Sequence, residues 1–158
     1  MRARAMTFRR IAVLTLLAGL LIGAVPAGDA QAGDFNGRYK DRWQMLRATN
    51  GSRNHHRVHR VDLRKHMSDL ARKHSVAMAR RGSLFHVNDP SSFYLRGVRW
   101  HWWGENVGVT GGSVADVQRA FMHSSGHRGN ILNRAFDNVA IGAVRVDGAL
   151  WVTVFFWG

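Results

Sequence analysis

The sequence predicts an α+β fold, a three-layer α–β–α sandwich with a small central antiparallel sheet. Two apolar runs near the C-terminus, NVAIGAVRV and ALWVTVFFW, are separated by Asp147-Gly148, a strong hairpin-turn signal. Neither run alternates cleanly between apolar and polar residues, and strands that are apolar on both sides are covered on both faces. We therefore expect Val139–Val146 and Leu150–Phe156 to pair as antiparallel strands between helical layers.

The clearest helix is predicted for residues 63–81. Its apolar residues fall on one stripe while charged residues face away, the pattern of a helix that packs on one side. Gly82 follows the last basic turn, where a helix is expected to stop. The stripe consists of Leu63, Met67, Leu70, Ala71, His74, Ala77 and Met78. Within it, we interpret His74 as a packed or capping histidine.

Two further helices and two connections complete the pattern. Apolar residues three to four apart predict a first amphipathic helix in residues 33–50. A second helix is predicted to begin at Ser113–Asp116, a capping-box variant, and to end at Ser124-Ser125-Gly126. Residues 50–60, NGSRNHHRVHR, lack periodicity, so we expect a basic, histidine-rich loop. Residues 83–104 form a connection longer than about 12–15 residues, which is usually functional or disordered. Its many aromatic residues argue against disorder.

Residues 1–32 have the three parts of a secretory signal peptide: a basic start, an uncharged apolar run over residues 11–25 and an Ala30-Gln31-Ala32 cleavage site. A membrane anchor is the alternative, but Pro26 and Asp29 break the run before it reaches the roughly 20 residues that cross a bilayer. We therefore expect cleavage after Ala32. The product would be a monomeric single domain, residues 33–158, without a transmembrane anchor and located outside the cell or in the cell wall.

The chain is strongly basic and contains no cysteine. Its formal net charge of +13 falls to +10 on cleavage, because the removed segment holds four arginines and one aspartate. Such a charge attracts polyanions. Export argues against nucleic acid and points to anionic cell-envelope polymers or lipids, although a solvated basic face without a specific partner is the alternative. Without disulfides, packing alone must stabilise the exported domain.

Five motifs follow one another along the chain, at Leu70–His86, Gly104–Val107, Phe121–Asn133, Asn138–Gly142 and Trp151–Phe155. In this order they resemble the bacterial form of the CAP superfamily (cysteine-rich secretory protein, antigen 5 and pathogenesis-related). The stretch Leu70–His86 resembles the second helix of these domains and the histidine after it. Gly104–Val107 resembles their Gly-Glu-Asn motif, and Phe121–Asn133 is similar to their Trp-Met-x-Ser-Pro-Gly-His-Arg-x-Asn-Ile-Leu motif. Asn138–Gly142 and Trp151–Phe155 fit the last two strands. The resemblance covers about residues 45–158 and implies the same α–β–α sandwich.

The resemblance also implies a shallow cleft with two histidines and two acidic residues, sometimes with a divalent metal. His86, Glu105 and His127 stand at matching positions, but the second acid is expected near His123 or Ser124, and neither is acidic. Two imidazoles and a carboxylate can ligate Zn²⁺ or another divalent metal and leave a position for water. The alternative is a hydrogen-bonded His–Glu–His cluster that holds no metal.

Other residues are weaker candidates. The histidines of residues 50–60 could bind metal, but a surface tract is the commoner explanation. His123 and His127 are four residues apart, yet Ser124-Ser125-Gly126 disfavours a continuous helix between them. Among Trp100, Trp102 and Trp103 we expect one core residue. The others, with Trp102 and Trp103 assigned to the ligand cleft, would stack on a sugar or lipid.

We therefore predict an extracellular binding module whose cleft holds a metal, a lipid or a cell-wall glycan without turnover. A metal-dependent hydrolase of peptide or cell-wall material, with Glu105 as general base, is the second hypothesis. A structural basic protein bound to the envelope by its charge is the third. The missing second acid favours binding over catalysis, and no nucleophile elbow accompanies Ser124 or Ser125.

Overall fold

The computed structural model describes residues 37–158, with side chains from Tyr39 onward. The predicted signal peptide, residues 1–32, and the start of the first predicted helix lie outside this part. The described chain forms five helices and four strands, which are α1 (Gly37–His55), β1 (Asp62–Leu63), α2 (Lys65–Arg81), α3 (Pro90–Phe93), β2 (Trp103–Thr110), α4 (Val114–His123), α5 (Ser125–Leu132), β3 (Asn138–Val146) and β4 (Ala149–Trp157).

The predicted hairpin forms the centre of a four-stranded sheet with the order β1-β3-β4-β2. β3 and β4 pair antiparallel up to Val146 and Ala149, which confirms the predicted pairing. The turn residues Asp147 and Gly148 have φ angles of 48° and 77°. Positive φ at both positions is the geometry of a type I′ turn, whose twist matches that of the strands it joins.

The two outer strands differ in direction. β2 pairs antiparallel with β4 along its whole length, from Trp103 opposite Trp157 to Thr110 opposite Leu150. The two-residue β1 pairs parallel with β3, so the antiparallel sheet has one short parallel edge. The parallel ladder ends there as the chain enters α2, and Ile141 of β3 donates its amide to the Ser68 hydroxyl of that helix (3.0 Å).

Helices cover both faces of the sheet, which confirms the three-layer sandwich. One core cluster joins α1, α4 and α5 to one face, through residues such as Met45, Phe121, Ile131, Val139 and Phe156. The second cluster joins α2 and the segment before β2 to the other face, through residues such as Ala71, Tyr94, Leu95, Ala140 and Phe155. The strands are apolar on both sides because each side packs against its own helical layer.

The predicted loop over residues 50–60 is wrong for its first half, since α1 continues to His55. Asn50 faces inward, where its amide group donates to the Val61 carbonyl (3.0 Å) and accepts from the Val61 amide (2.9 Å). Arg53 is also fully buried. The two hydrogen bonds between Asn50 and Val61, together with the burial of Arg53, hold this end of the helix in place despite an Asn-Gly-Ser sequence of low helical propensity.

One helix start and two additional short helices also differ from the sequence-based expectation. α2 begins at Lys65, because Asp62 and Leu63 extend the sheet. The predicted connection over residues 83–104 contains the short helix α3, in which Asp89 caps the amide of Ser92 (3.1 Å). α4 ends at His123 as predicted, but α5 follows at once from Ser125. Within residues 37–158, no helix is both long and apolar enough to span a bilayer.

Candidate functional site

A buried carboxylate lies at the centre of the site. Glu105, the third residue of β2, has a side chain that is only 1% exposed. One oxygen, Oε1, accepts from His74 Nδ1 (3.2 Å) and from the Tyr94 hydroxyl (3.2 Å). The other, Oε2, accepts from His86 Nδ1 (2.9 Å) and from the Val87 amide (3.0 Å). Four donors therefore fill the acceptor positions of one carboxylate.

The surroundings of Glu105 keep it ionised. Burial alone would raise the pKa of Glu105. This effect is outweighed by hydrogen bonds from His74 and His86, by the charge of His74 and by the Val87 amide, which together lower the pKa to about 2. Burial and the negative charge of Glu105 raise the pKa of the Tyr94 hydroxyl far above its ordinary value, so this hydroxyl remains a donor. The site is therefore a fixed anion surrounded by donors.

The two histidines that contact Glu105 differ in their exposure. Because a carboxylate oxygen only accepts, each ring carries a proton on Nδ1 and has its Nε2 on the far side from Glu105. The His86 side chain is 46% exposed, so its Nε2 is within reach of a ligand. The His74 ring is buried, and its Nε2 has no hydrogen-bond partner among the described residues.

His127 is the third residue of α5 and lies half-buried against Phe121, with ring centroids 4.8 Å apart. Burial lowers the pKa of its imidazole, and the charge of His86 lowers it further. The two histidines are therefore close enough to interact electrostatically. A lowered pKa favours the neutral imidazole, which is the form that binds metal ions.

Two asparagines attach α5 to β2 and so position His127. Asn106 donates its side-chain amide to the His127 carbonyl (3.0 Å). Asn130 donates to the Asn106 side chain (2.8 Å) and to the Glu105 carbonyl (3.3 Å). α5 approaches the strand so closely that a Cβ at Gly104 would lie 2.6 Å from Asn130 Oδ1. The Gly-Glu-Asn sequence thus combines a close approach, a buried anion and a link to α5.

Comparison with known proteins agrees with this fold. The profile of the CAP (cysteine-rich secretory protein) family matches residues 46–156, which include all the residues around Glu105. The chain belongs to the cysteine-rich secretory protein family. It is also 27% identical over 117 residues to the uncharacterized protein YkwD of Bacillus subtilis, a match that covers 71% of this chain and 45% of that protein. The chain thus spans less than half the length of this relative.

Solved structures of bacterial proteins share the fold. A cysteine-rich secretory protein of Staphylococcus aureus matches with a TM-score of 0.67 and 17% identity, over 78% of this chain and 40% of the other. An extracellular protein of Bacillus anthracis that contains an SCP domain matches with a TM-score of 0.63 and 24% identity, over 76% and 41%. An outer surface protein of Borrelia burgdorferi has a TM-score of 0.66 and 12% identity, over 75% and 92%.

In this CAP domain, the structure brings together two of the three residues predicted to converge on a metal, His86 and Glu105. It places His127 within electrostatic range of His86. Sequence reasoning missed the roles of His74 and Tyr94. A histidine on the apolar stripe of α2 was the available signal for His74. Tyr94 had no such signal, because the fold alone brings it beside Glu105.

The predicted three-residue metal shell does not match this geometry. In the described part of the chain, no group of three or more His, Cys, Asp or Glu side chains is placed to hold a metal ion. Glu105 has its acceptor positions filled by four donors, so it does not fit as a direct ligand. His86 fits better, because a carboxylate that accepts from one ring nitrogen of a histidine orients the other nitrogen toward an ion.

The tryptophans of the long connection have different environments. Trp103 is 43% exposed, and its ring lies nearly parallel to Phe155, with centroids 6.1 Å apart. Phe155 in turn stacks on Tyr94 at 4.0 Å. An aromatic column therefore leads from the surface to Glu105. Trp100 packs against the second core cluster, whereas Trp102 is 52% exposed, and its assignment to the cleft stays a prediction.

The other histidine candidates have local partners. His56 lies near the Ser52 carbonyl (2.9 Å) through Nδ1, and His59 lies near Asp137 (3.0 Å) through Nε2. His123 is within 2.7 Å of the Arg119 carbonyl in the last turn of α4. His123 and His127 stand on different helices, so they do not form the four-residue pair of a continuous helix.

Proposed function

We propose that this domain is an exported binding module whose cleft, formed around Glu105, holds an extracellular ligand without turnover. The proposal rests on the four hydrogen-bond donors that contact the Glu105 carboxylate. A general base needs a free lone pair that faces the substrate and a pKa near the operating pH. Glu105 has both oxygens occupied and a pKa lowered to about 2. It therefore acts as a fixed anion that orients imidazoles, which disfavours the hydrolase hypothesis.

The groups that can meet a ligand are on the outer side of Glu105. His86 presents an exposed ring, His127 lies nearby, and Trp103 offers an aromatic face. Such groups suit a metal ion, a lipid or a cell-wall glycan. An extracellular and an outer-surface protein share the fold, and this supports export of this chain as well. The net charge, +13 for the full chain and +10 after the predicted cleavage, supports anionic envelope polymers or lipids as partners.

Turnover assays test the proposal directly. The exported protein is incubated with casein and with purified peptidoglycan, each with added zinc and each with chelator. We expect no release of products above that of the Glu105→Gln variant. Hydrolysis that chelator abolishes and Glu105→Gln removes would refute a binding role. Ligands that co-purify with the exported protein, identified by mass spectrometry, should be depleted in His86→Ala and His127→Ala.

We also propose how a divalent metal would be held. His86 Nε2 and the His127 imidazole are the ligands, and Glu105 supports His86 from behind through Nδ1. An ion bound by two imidazoles would offer its remaining positions to oxygen atoms of a ligand. This arrangement replaces the three-ligand shell, because Glu105 is committed to its four donors.

Zinc calorimetry tests this arrangement. His86→Ala or His127→Ala should abolish binding. Glu105→Gln should weaken it by about 10–100-fold without abolishing it, the usual effect of losing a group that supports a metal ligand. His55→Ala and His56→Ala serve as controls and should change little. Loss of binding in these controls, or unchanged binding in His86→Ala, would contradict the assignment. Circular dichroism shows whether each variant remains folded.

A further inference from the structure

A groove runs along α2, the helix that packs on the opposite face of the sheet from α5. It consists of two adjoining hollows, here called the α2 groove. The cationic half, of about 620 Å³, is lined by Arg72, Lys73, Val76, Ala77, Arg80 and Arg81. The aromatic half, of about 390 Å³, shares Lys73, Ala77 and Arg81 and continues to His74, Phe85, His86 and Phe93. The shared residues make the two halves one continuous surface.

The cationic half is suited to an extended anion. Lys73, Arg80 and Arg81 are exposed, and no acidic residue is among those that line either half. Eight residues of α-helix separate Lys73 from Arg81, which places their backbones about 12 Å apart along the helix axis. Val76 and Ala77 form the apolar floor between them. An extended ligand with several anionic groups can therefore contact Lys73 at one end of this half and Arg81 at the other.

The aromatic half has fixed walls. The Phe85 ring lies beneath the Arg81 guanidinium, whose carbon is 5.2 Å from the ring centroid, and against the His74 ring at 5.0 Å. Phe93 packs edge-on against Tyr94 at 4.8 Å and remains 36% exposed. Phe93 thus offers an apolar face beside the cations, and His86 and Asn88 add polar groups at the same edge.

We propose that the α2 groove binds an anionic glycan, a polysaccharide segment that carries carboxylate or phosphate groups. Its acidic groups contact Lys73 and Arg81, and a sugar ring lies against Phe93. A polyanion without sugar rings would leave the aromatic half unused. The proposal goes beyond the cleft function proposed above, since it adds a second binding surface that depends on Lys73, Arg81 and Phe93 and not on Glu105 or His127.

Calorimetry with a short oligogalacturonate, and with a neutral maltooligosaccharide of the same length, tests the proposal on the exported protein. We expect the anionic sugar to bind and the neutral sugar to bind at least roughly tenfold more weakly. Lys73→Gln/Arg81→Gln should weaken binding of the anionic sugar by roughly tenfold or more. The matched control Arg47→Gln/Arg60→Gln removes two exposed charges from α1 and the segment after it and should change affinity by less than about twofold.

Phe93→Ser separates a glycan site from plain charge attraction. It should weaken oligogalacturonate binding but leave the binding of inorganic polyphosphate unchanged. Equal losses in the groove and control double variants, or no effect of Phe93→Ser, would overturn the proposal in favour of non-specific attraction. Tighter binding of phosphatidylglycerol vesicles or single-stranded DNA, with the same dependence on Lys73 and Arg81, would also overturn it.

His127→Ala should leave glycan binding intact. If it abolishes binding while the groove variant does not, the glycan occupies the Glu105 cleft, and the groove proposal alone fails.

Discussion

Glu105 combines burial with complete hydrogen bonding, and this combination decides its role. Transfer of a carboxylate from water into a protein interior costs several kcal/mol unless donors replace the lost water. His74, Tyr94, His86 and the Val87 amide supply those donors, from α2 and from the long connection. The carboxylate therefore holds the connection against the sheet, in addition to orienting His86 toward the cleft.

Glu105 should make stability depend on pH in acid. Its folded pKa of about 2 lies below its ordinary value of 4.5, so its contribution is fully present above about pH 4.5 and is lost as pH falls toward 2. This contribution amounts to roughly 3 kcal/mol.

Urea unfolding should show Glu105→Gln roughly 3–5 kcal/mol less stable than wild type at neutral pH, and this difference in the free energy of unfolding should narrow in acid. The control Asp137→Asn, at an exposed carboxylate, should change stability by less than about 0.5 kcal/mol. Wild-type and Glu105→Gln curves that stay parallel throughout would contradict the prediction.

Single residues of the site were predictable where a motif marked them and not elsewhere. Glu105 and His86 stand in sequence patterns that resemble the family, so the sequence identified them. His74 was assigned to the buried stripe of α2, which is correct, but its carboxylate partner comes from a strand 31 residues later. Tyr94 reaches Glu105 because its ring stacks on Phe155, a contact that no local pattern reveals.

At the level of elements, periodicity predicted α2 and the hairpin well because each has a simple apolar pattern. It failed for the end of α1, where Asn50 and Arg53 are polar residues with buried partners. It also missed α5, whose sequence SGHRGNIL carries two glycines and little amphipathic character. α5 is held instead by Asn130 and Asn106, and hydrogen bonds of this kind have no period in the sequence.

Two glycines in different elements should respond oppositely to alanine. A Cβ at Gly142 of β3 would overlap the Ala71 carbonyl of α2, so Gly142→Ala must push α2 off the sheet. We expect a loss of roughly 1–3 kcal/mol or more in the free energy of unfolding. Gly129 lies exposed within α5 with open space around its Cβ position, so Gly129→Ala should raise stability by roughly 0.5–1 kcal/mol. Thermal unfolding of both variants measures the signs, and equal shifts would contradict the close packing of α2 on β3.

For the whole molecule, the three layers follow from the apolar character of β3 and β4, and that much was evident in the sequence. Without a cysteine, the layers depend on packing and on a few long-range polar contacts. Both helical layers contribute to the site region. α2 supplies His74, while α5, from the opposite layer, supplies His127, whose carbonyl accepts from Asn106 of β2. The relative position of the layers therefore determines the geometry of the cleft.

Arg53 is the main polar tie between α1 and the chain that leads into β3. Its side chain is fully buried, and it donates to the carbonyls of His59 (2.6 Å), Ile131 (2.9 Å), Asn133 (2.9 Å) and Phe136 (2.9 Å). The guanidinium thereby satisfies carbonyls at the end of α5 and in the turn after it. Burial lowers its pKa from the ordinary value, but arginine keeps its charge in proteins.

Arg53→Lys should therefore be strongly destabilising although it keeps the charge. The lysine ammonium cannot reach all four carbonyls that surround the planar guanidinium of Arg53. Each buried carbonyl left without a donor lowers the free energy of unfolding by about 1–3 kcal/mol. We expect a loss of roughly 2–4 kcal/mol in urea unfolding. Arg47→Lys, at an exposed position of the same helix, is the matched control and should change stability by less than about 0.5 kcal/mol. Because Arg53 holds the end of α5, the variant should also shift the NMR signals of His127 at temperatures where the domain is folded. A variant as stable as wild type, with unchanged His127 signals, would mean that packing alone positions α5.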